Sequence, residues 1–287
     1  MSAAQLRESV LRVRATDGAS ADLLLVQPLA GARDVLLWLP ALGVAARNYL
    51  PLARALAAHG VATALHEWRG AGSSDQRATR ALDWGYRELL AYDIAASRLA
   101  AQGALPQARL WLGGHSLGGQ LATLAAAFAP TGVTGLALVA SGSPYWRTFR
   151  HAWLIRAAYS WIPWLAAFCG YFPGRSVGFG GREARGVMMD WARSGRSGRY
   201  AAARMPYDFE AGLARVEVPI LALRLADDWL GPLESLDWLL RKMPAAPQET
   251  SLIGQDALGG APADHFAWMK MPLGIAIDIA GKIIHKQ

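Results

Sequence analysis

Residues 113–119 read Gly-Gly-His-Ser-Leu-Gly-Gly and separate two apolar stretches of different kinds. Residues 108–112 have the length of a buried strand, whereas residues 117–128 have that of a helix. Glycine interrupts both kinds of element, so four glycines around a single serine indicate a backbone geometry that requires them. A strand, a Gly-x-Ser-x-Gly turn and a helix together predict a nucleophile elbow, in which a strained backbone exposes the hydroxyl of Ser116.

A glycine-rich turn can instead bind a phosphate group, and the surrounding residues discriminate between the two interpretations. No Lys-Ser or Lys-Thr pair follows the glycines, and the Gly-x-Gly-x-x-Gly pattern of dinucleotide-binding proteins is absent. The chain also offers no cluster of metal-ligating residues. We therefore favour the nucleophile elbow and expect neither a metal nor a cofactor.

Strand-like and helix-like patterns alternate on both sides of this turn. Two N-terminal strands, residues 9–14 and 21–27, flank a turn at Thr16-Asp17-Gly18. The alternation that follows predicts an α/β fold with a mostly parallel central sheet flanked by helices on both faces. The predicted strands are residues 34–39, 61–65, 110–112, 133–139, 219–225 and 249–253. The predicted helices are residues 46–59, 84–101, 117–128 and 233–240, with a last helix from about residue 265.

The alternation breaks between residues 142 and 206 and then resumes with another predicted strand. We therefore expect one core formed by residues 1–141 and 207–287, with residues 142–206 inserted as a helical cap, or lid. Residues 142–206 are called the inserted segment below. It enters between the strand at residues 133–139 and the strand at residues 219–225, and we expect it to lie over the serine.

Composition limits the classes of protein to which the chain can belong. Hydrophobic residues make up 53% and charged residues 18%, which is typical of an ordered globular protein. The formal net charge is +7. The arginines are scattered and form no basic stripe, so we expect no binding to nucleic acid. A single cysteine, Cys169, excludes an intramolecular disulfide and is compatible with a reducing compartment.

A serine hydroxyl needs a base, and the chain has six histidines. His265 follows the last predicted strand and is the preferred base, while His66, after the strand at residues 61–65, is a second candidate. The acid should come from a strand end between the serine and the histidine, since the expected order is Ser, Asp or Glu, His. Asp227 and Asp228 both follow the strand at residues 219–225, and we prefer Asp228 because it is the more distal residue of the turn.

A tetrahedral intermediate also needs hydrogen-bond donors for its oxyanion. The amide of Leu117 begins the helix after the serine and is the first expected donor. The second should come from the loop after the first parallel strand, where we choose Leu42 and keep Gly43 as the alternative.

With these residues assembled, the chain resembles the capped α/β-hydrolases, in the branch that includes serine aminopeptidase-like and monoglyceride-lipase-like enzymes. It is most similar to a bacterial group of predicted α/β-hydrolases. The resemblance extends from about Asp34 to the final helix. It is carried by Pro40-Ala41-Leu42-Gly43-Val44, Trp68-Arg69-Gly70-Ala71-Gly72-Ser73-Ser74, the elbow, Gly170-Tyr171-Phe172-Pro173-Gly174, Asp190-Trp191-Ala192-Arg193, Ala226-Asp227-Asp228 and His265-Phe266.

The resemblance implies an α/β-hydrolase fold with Ser116 as nucleophile, Asp228 as acid and His265 as base. It also implies that the amides of Leu42 and Leu117 form the oxyanion hole. The chain departs from most relatives at Pro40-Ala41, where they have His-Gly. Proline fixes φ and has no N–H, so we expect this loop to be held differently.

The inserted segment is rich in aromatic residues, which suit an apolar pocket for an acyl chain or ring. We expect Trp146, Trp161, Trp164 and Trp191 to contact substrate. Each aromatic could equally form the segment's own core. Interspersed arginines at 147, 150, 156, 175, 182 and 185 fit a solvated surface better than an anion site.

These observations predict a serine hydrolase that cleaves a carboxylic ester or thioester with a hydrophobic acyl group. An aminopeptidase or amidase is one alternative, but it needs an acid to hold an ammonium, and the inserted segment offers only Glu183 and Asp190. A non-catalytic binding protein with the same fold is a second alternative.

The sequence constrains the location and partners of the chain less than it constrains the fold and the reaction. Residues 1–20 show no secretory signal, so we expect a cytoplasmic protein. The apolar stretches at residues 157–173 and 274–284 leave peripheral contact with a membrane open, although buried packing explains both. The expected partner is a small hydrophobic ester, and the oligomeric state is left open.

Overall fold

The computed structural model describes residues 5–285, and for His285 the backbone only. The first four and last two residues of the predicted core, and the start of the N-terminal stretch analysed for a signal, lie outside the described residues.

Residues 5–285 form a central sheet of eight strands in the order β1-β2-β4-β3-β5-β6-β9-β10. The pairs β1–β2 and β2–β4 are antiparallel and the other neighbours are parallel, as the α/β pattern predicts. A separate hairpin pairs β7 with β8. The strands are β1 (Leu6–Arg14), β2 (Ser20–Pro28), β3 (Asp34–Leu39), β4 (Ala62–Leu65), β5 (Arg109–His115), β6 (Val133–Val139), β7 (Tyr171–Pro173), β8 (Arg182–Ala184), β9 (Ile220–Leu225) and β10 (Gln248–Ile253).

The helices lie between these strands. They are α1 (Leu50–Ala58), α2 (Tyr86–Glu88), α3 (Ala95–Ala104), α4 (Leu117–Phe128), α5 (Ala152–Cys169), α6 (Gly174–Val177), α7 (Arg185–Ser197), α8 (Phe209–Ala214), α9 (Leu233–Leu240) and α10 (Leu273–His285). A π-helical turn, Leu89–Ile94, joins α2 to α3. Short 3-10 turns occupy Ala46–Tyr49, Trp146–Thr148, Gln255–Leu258 and Ala267–Lys270.

Two helix starts differ from the prediction because proline sets them. The helix expected from residue 46 begins as a 3-10 turn, and α1 itself starts at Leu50 with Pro51 in its first turn. The last helix, expected from about residue 265, starts at Leu273, directly after Pro272. Proline is favoured at a helix start because the first N–H groups have no partner within the helix. Residues 264–271 therefore precede the helix and include the 3-10 turn Ala267–Lys270.

The core lies on both faces of the sheet. All six residues of β3 are buried, as expected for a central parallel strand. On one face Leu36 and Trp38 pack with α1 and α10, and on the other Leu37 and Leu39 pack with α3 and α4. The apolar C-terminal stretch belongs to this core, since Ile275, Ala276, Ile279, Ala280 and Ile283 are buried.

The inserted segment joins β6 to β9, which are neighbours in the sheet. Its own small core is formed by α5, α7 and β7, through Ile162, Ala166, Phe172 and Met188. Asp190 ties α7 to the rest of the molecule, because its carboxylate accepts hydrogen bonds from the backbone N–H of Tyr86.

Candidate active site

Ser116 lies at the junction of β5 and α4, at the carboxyl edge of the sheet. Its backbone has φ 54° and ψ −119°, a conformation that residues with a side chain rarely adopt. Two hydrogen bonds fix this turn: the Ser116 N–H donates to Val139 O at 3.1 Å, and the Ser141 hydroxyl donates to Ser116 O at 2.7 Å. This strained turn is the nucleophile-elbow geometry.

The glycines around Ser116 are required by close backbone packing. A Cβ atom on Gly114 would overlap the backbone of Gly118, and one on Gly118 would overlap Leu39 O. A Cβ on Gly119 would overlap the Ser141 side chain. The start of α4 can therefore approach the end of β3 only because these positions carry no side chain.

Asp228 and His265 form a buried pair next to this turn. Nδ1 of His265 lies 2.8 Å from Oδ2 of Asp228. The other carboxylate oxygen of Asp228 accepts the N–H groups of Leu230 at 2.8 Å and Gly231 at 3.1 Å. A carboxylate held in this way orients the imidazole and fixes its tautomer.

The loop that carries His265 is held by residues that the sequence did not single out for this purpose. Asp227 exchanges two hydrogen bonds with Ala263: its N–H donates to Ala263 O at 2.9 Å, and its carboxylate accepts the Ala263 N–H at 3.1 Å. The Trp268 indole donates to His265 O at 3.1 Å. Asp227 therefore braces the loop, and it is Asp228 that contacts the imidazole.

The elbow and the His265 loop meet at His115, the residue before the serine. The ring centroids of His115 and His265 are 4.8 Å apart. Nδ1 of His115 lies 2.8 Å from the Tyr49 hydroxyl, and burial holds the His115 pKa well below its usual range. The imidazole of His265 thus adjoins the serine turn. Ser116 is half-buried, and its hydroxyl makes no hydrogen bond to another of the described residues.

His66, the second candidate for the base, lies in different surroundings. It is buried, its Nδ1 is 2.8 Å from the Ser97 hydroxyl, and its ring packs edge-on against Trp68. Burial lowers its pKa to about 3, so this imidazole stays neutral. It faces a small cavity lined by Arg69 and Asp93, and neither Ser116 nor Leu117 lines that cavity.

The expected oxyanion donors, Leu42 and Leu117, line one cavity together. Neither of their N–H groups donates to another residue in the described part of the chain. The Pro40-Ala41 departure is accommodated by two buried aromatic residues. The Trp68 indole donates to Pro40 O at 2.8 Å, and the Tyr49 hydroxyl accepts the Ala41 N–H at 3.0 Å.

This cavity has a volume of about 540 Å³ and lies between the core and the inserted segment. Its apolar lining comes from Leu42, Trp68, Ala71, Trp84, Leu89, Leu117 and Val187. Its charged lining comes from Arg47, Arg69, Arg77, Arg175, Arg182 and Glu183. Arg175 and Arg182, which we expected on a solvated surface, are exposed and also line this cavity.

The four tryptophans expected to contact substrate lie elsewhere. Trp161 and Trp164 are 55% and 78% exposed on the outer face of α5, because Tyr159, Ile162 and Ala166 take the inward positions. Trp191 packs against Tyr159 and Phe179. Trp146 stacks with Arg147 and Arg156. The tryptophans that do line the cavity are Trp68 and Trp84.

The two acids considered for ammonium recognition are both engaged. Asp190 is fully buried and accepts the N–H groups of Tyr86 and Ala203 together with Arg193. Glu183 lines the cavity but accepts the Gly181 N–H at 2.6 Å, and burial raises its pKa. In residues 5–285 we find no group of three His, Cys, Asp or Glu side chains arranged to ligate a metal.

Comparison with known proteins agrees with this architecture. A sequence profile described as alpha/beta hydrolase fold matches residues 34–245. No curated protein matches the chain in sequence.

Several solved structures share the fold at low identity. A hydrolase from Pseudomonas aeruginosa PA01 is 18% identical, with a TM-score of 0.61, and the alignment covers 96% of this chain and 98% of that one. The esterase RhEst1 from Rhodococcus sp. ECU1013 is 19% identical, with a TM-score of 0.59 and coverage of 97% and 100%. An esterase of Pyrococcus furiosus is 13% identical, with a TM-score of 0.60 and coverage of 97% and 91%.

Proposed function

The chain belongs to the alpha/beta hydrolase fold family, and from that premise we propose that it is a serine hydrolase of carboxylic esters or thioesters. The observation that carries this proposal is the buried pair of Asp228 and His265, 2.8 Å apart, beside the strained turn of Ser116. The esterases among its structural neighbours agree with this reaction class.

In the proposed mechanism, Nε2 of His265 takes the Ser116 proton while Oγ attacks the carbonyl carbon of the ester. Asp228 holds the imidazole by its other nitrogen and stabilises the imidazolium that forms. The amides of Leu42 and Leu117 donate to the oxyanion. His265 then protonates the departing alcohol or thiol, and water activated by the same imidazole hydrolyses the acyl-enzyme.

The cavity supports a substrate with an apolar portion. Trp84, Leu89 and Val187 provide an apolar wall next to Leu42 and Leu117. An acyl or alkyl group against this wall would leave its ester carbonyl near the proposed oxyanion donors. We accordingly assign the chain to the capped branch of this family, in which the inserted segment would be the cap.

The aminopeptidase alternative receives less support from the charges in the cavity. Its ammonium group would need a free carboxylate, whereas Asp190 is saturated by hydrogen bonds and Glu183 lies among arginines. A panel of acyl p-nitrophenyl esters, acyl thioesters and aminoacyl p-nitroanilides separates the reaction classes. We expect turnover of esters or thioesters; turnover of the anilides alone would favour the peptidase.

Labelling with a fluorophosphonate probe tests whether the fold is catalytic. We expect wild type to be labelled and to hydrolyse p-nitrophenyl esters, and Ser116→Ala to lose both. Ser160→Ala, at an exposed serine of α5, is the control and should retain both. A folded wild type that neither labels nor hydrolyses any ester would favour the non-catalytic binding protein.

A second feature supports contact with a membrane surface, which we also propose. The outer face of α5 exposes Trp153, Trp161, Trp164 and Phe168 at helical spacing. Residues 142–182 contain five arginines and no Asp or Glu. An exposed aromatic face beside basic residues is typical of a helix that lies on an anionic bilayer. No helix within residues 5–285 has the length and hydrophobicity to cross a membrane.

Vesicle co-sedimentation tests this contact. We expect binding to vesicles that contain phosphatidylglycerol and weaker binding to pure phosphatidylcholine. Trp164→Ser with Phe168→Ser should weaken binding by about fivefold or more. Leu99→Ser, which removes a similarly exposed apolar residue from α3, is the control. Equal sedimentation of all three proteins, or none with either vesicle, would contradict the proposal.

A further inference from the structure

Four arginines surround the cavity next to the proposed oxyanion donors. Arg47, in the 3-10 turn Ala46–Tyr49, and Arg77 come from the core, and Arg175 and Arg182 come from the inserted segment. We call them the rim arginines. A fifth, Arg69, also lines the cavity, but it is paired with Asp17 at 2.7 Å and Asp93 at 2.6 Å. The rim arginines therefore meet from two parts of the chain that are distant in sequence.

No rim arginine forms an ion pair with a carboxylate in residues 5–285. Other arginines do, as in Arg12–Asp22, Arg54–Glu8 and Arg109–Asp34. Unpaired cations that converge on one cavity create a positive potential there, which attracts and orients anions.

Two acids near the rim do not balance these charges. Glu183 accepts the Gly181 N–H, and Glu67 accepts the N–H groups of Ala46 and Ser73. Both carboxylates also interact with rim arginines, Glu67 with Arg47 and Arg77 and Glu183 with Arg175, and they offset part of the positive charge. With four arginines against two acids, the cavity keeps an excess of positive charge.

Two of the rim arginines are held in place by the protein. The Arg77 guanidinium donates to Ser74 O at 2.6 Å and to Gly72 O at 2.9 Å. Arg182 donates its Nε–H to Ala78 O at 2.7 Å, and its guanidinium lies 3.9 Å from the ring centroid of Tyr171. An arginine has five N–H donors, so these anchors leave others for a ligand. Held donors of this kind bind carboxylate and phosphate at a reduced entropic cost.

We propose that the substrate of this site is an ester that carries an anionic group, a carboxylate or a phosphate, bound by the rim arginines. This inference rests on the proposed hydrolase function and defines its substrate class. The ester carbonyl would lie at Leu42 and Leu117, the apolar part against Trp84 and Val187, and the anion at the arginines. The expected substrate thus changes from a purely hydrophobic acyl ester to an amphiphilic ester.

Matched substrates test the proposal. The mono-p-nitrophenyl ester of adipic acid ends in a carboxylate, the p-nitrophenyl ester of 6-phosphonohexanoic acid ends in a phosphonate, and p-nitrophenyl methyl adipate is uncharged. We expect wild type to prefer a charged ester over the neutral one by about tenfold in kcat/KM, the effect of one charge-assisted contact. The charged ester with the larger kcat/KM identifies the anion.

Single substitutions connect that preference to the rim. Arg47→Gln and Arg175→Gln should each reduce kcat/KM for the charged ester by about fivefold to twentyfold and change it less than twofold for the neutral ester. Arg150→Gln removes an exposed arginine of the inserted segment that does not line the cavity, and it should leave the preference unchanged. Thermal melts of each variant check folding.

The possible results separate this inference from the function on which it rests. If the neutral ester is cleaved with the same kcat/KM as both charged esters, the anion inference is overturned and the hydrolase proposal stands. If no ester is cleaved, the hydrolase proposal fails, and calorimetry with hexylphosphonate, hexanoate and hexanol on Ser116→Ala decides anion binding separately. Tighter binding of an anion that Arg175→Gln weakens supports the inference, and equal or absent binding of all three overturns it.

Discussion

Ser116 occupies a backbone conformation that costs free energy. The residues around it allow the fold to maintain that conformation. Strain of this kind persists only where the surrounding structure over-determines the conformation. Here the constraint comes from hydrogen bonds to Val139 and Ser141 and from glycines that allow α4 to approach β3. This turn is therefore specified by the residues that lack side chains as much as by the serine.

Replacement of Gly118 tests this packing. In Gly118→Ala the new methyl group would overlap Leu39 O, so α4 and β3 must separate, and we expect a loss of about 1–3 kcal/mol or more in the free energy of unfolding. Gly281→Ala is the matched control, because no atom of the described residues lies within 4 Å of a Cβ at that position of α10. It should stabilise by about 0.5–1 kcal/mol. Urea unfolding measures both, and equal effects would argue against the packing explanation.

The adjacent acids Asp227 and Asp228 should differ sharply in effect. Asp228→Asn leaves the site packed but disturbs the tautomer of His265, so we expect kcat to fall on the order of 10³–10⁴-fold. Asp227→Asn weakens only the brace on Ala263, and we expect a loss of about tenfold or less. Esterase kcat and the fluorophosphonate labelling rate measure the difference. A larger loss for Asp227→Asn would reverse the assignment.

At the scale of elements, the inserted segment rests directly on the loop that carries Leu42. Gly180 and Gly181, just before β8, touch Gly43, which has φ +75°. A Cβ on Gly43 would lie 2.5 Å from Gly181 N. The distance between the β7–β8 hairpin and this loop is therefore as small as two backbones allow.

Gly43→Ala should separate the hairpin from the loop. We expect faster amide exchange over residues 171–184 and a lower kcat/KM, because both the cavity and the Leu42 amide depend on this contact. Gly178→Ala is the matched control: Gly178 has a similar φ of +72° but no atom within 4 Å of a Cβ. Gly178→Ala therefore introduces the same backbone strain as Gly43→Ala but no steric overlap with a neighbouring residue. If both variants exchange and react alike, strain alone explains the effect.

At the scale of the whole molecule, buried histidines link stability to pH. Burial lowers the pKa of His66 to about 3, and that of His115 well below its usual range. The unfolded chain, with ordinary histidines, binds more protons than the folded chain between pH 6.5 and 3. Stability from these groups is therefore complete above pH 6.5 and is lost as the pH falls.

His66→Gln isolates this contribution. Because glutamine cannot take up the proton, we expect the fall in the free energy of unfolding between pH 6 and pH 4 to be smaller in the variant, by up to about 1.4 kcal/mol per pH unit. Asp93, in the same cavity, acts in the opposite direction, since burial raises its pKa to about 6. Asp93 is present in both proteins, so its contribution cancels when the pH profile of the variant is subtracted from that of wild type. Parallel pH profiles would mean that His66 takes up its proton over the same pH range in the folded and the unfolded protein.

Much of the fold could be predicted because its signals are local. The bounds of β3, α4 and β6 were predicted to the residue and those of α9 approximately, from apolar runs and glycine punctuation, and the α/β-hydrolase fold itself was confirmed. The candidate nucleophile, acid and base follow from chain order along a parallel sheet. These features depend on residues close to one another in sequence or on a rule of topology.

Other features required the tertiary structure because they depend on which surfaces meet. Helical spacing in α5 shows that its aromatics share faces, but only packing against α7 decided that Ile162 turns inward and Trp164 outward. The approach of Arg47, in a 3-10 turn, and Arg175, in α6, to one cavity joins two distant segments, and no spacing along the chain predicts it. The chain alone thus determined the sheet, the elbow and the order of its chemical groups. Three-dimensional packing decided which side chains surround the cavity, because a contact between distant segments depends on the position of both.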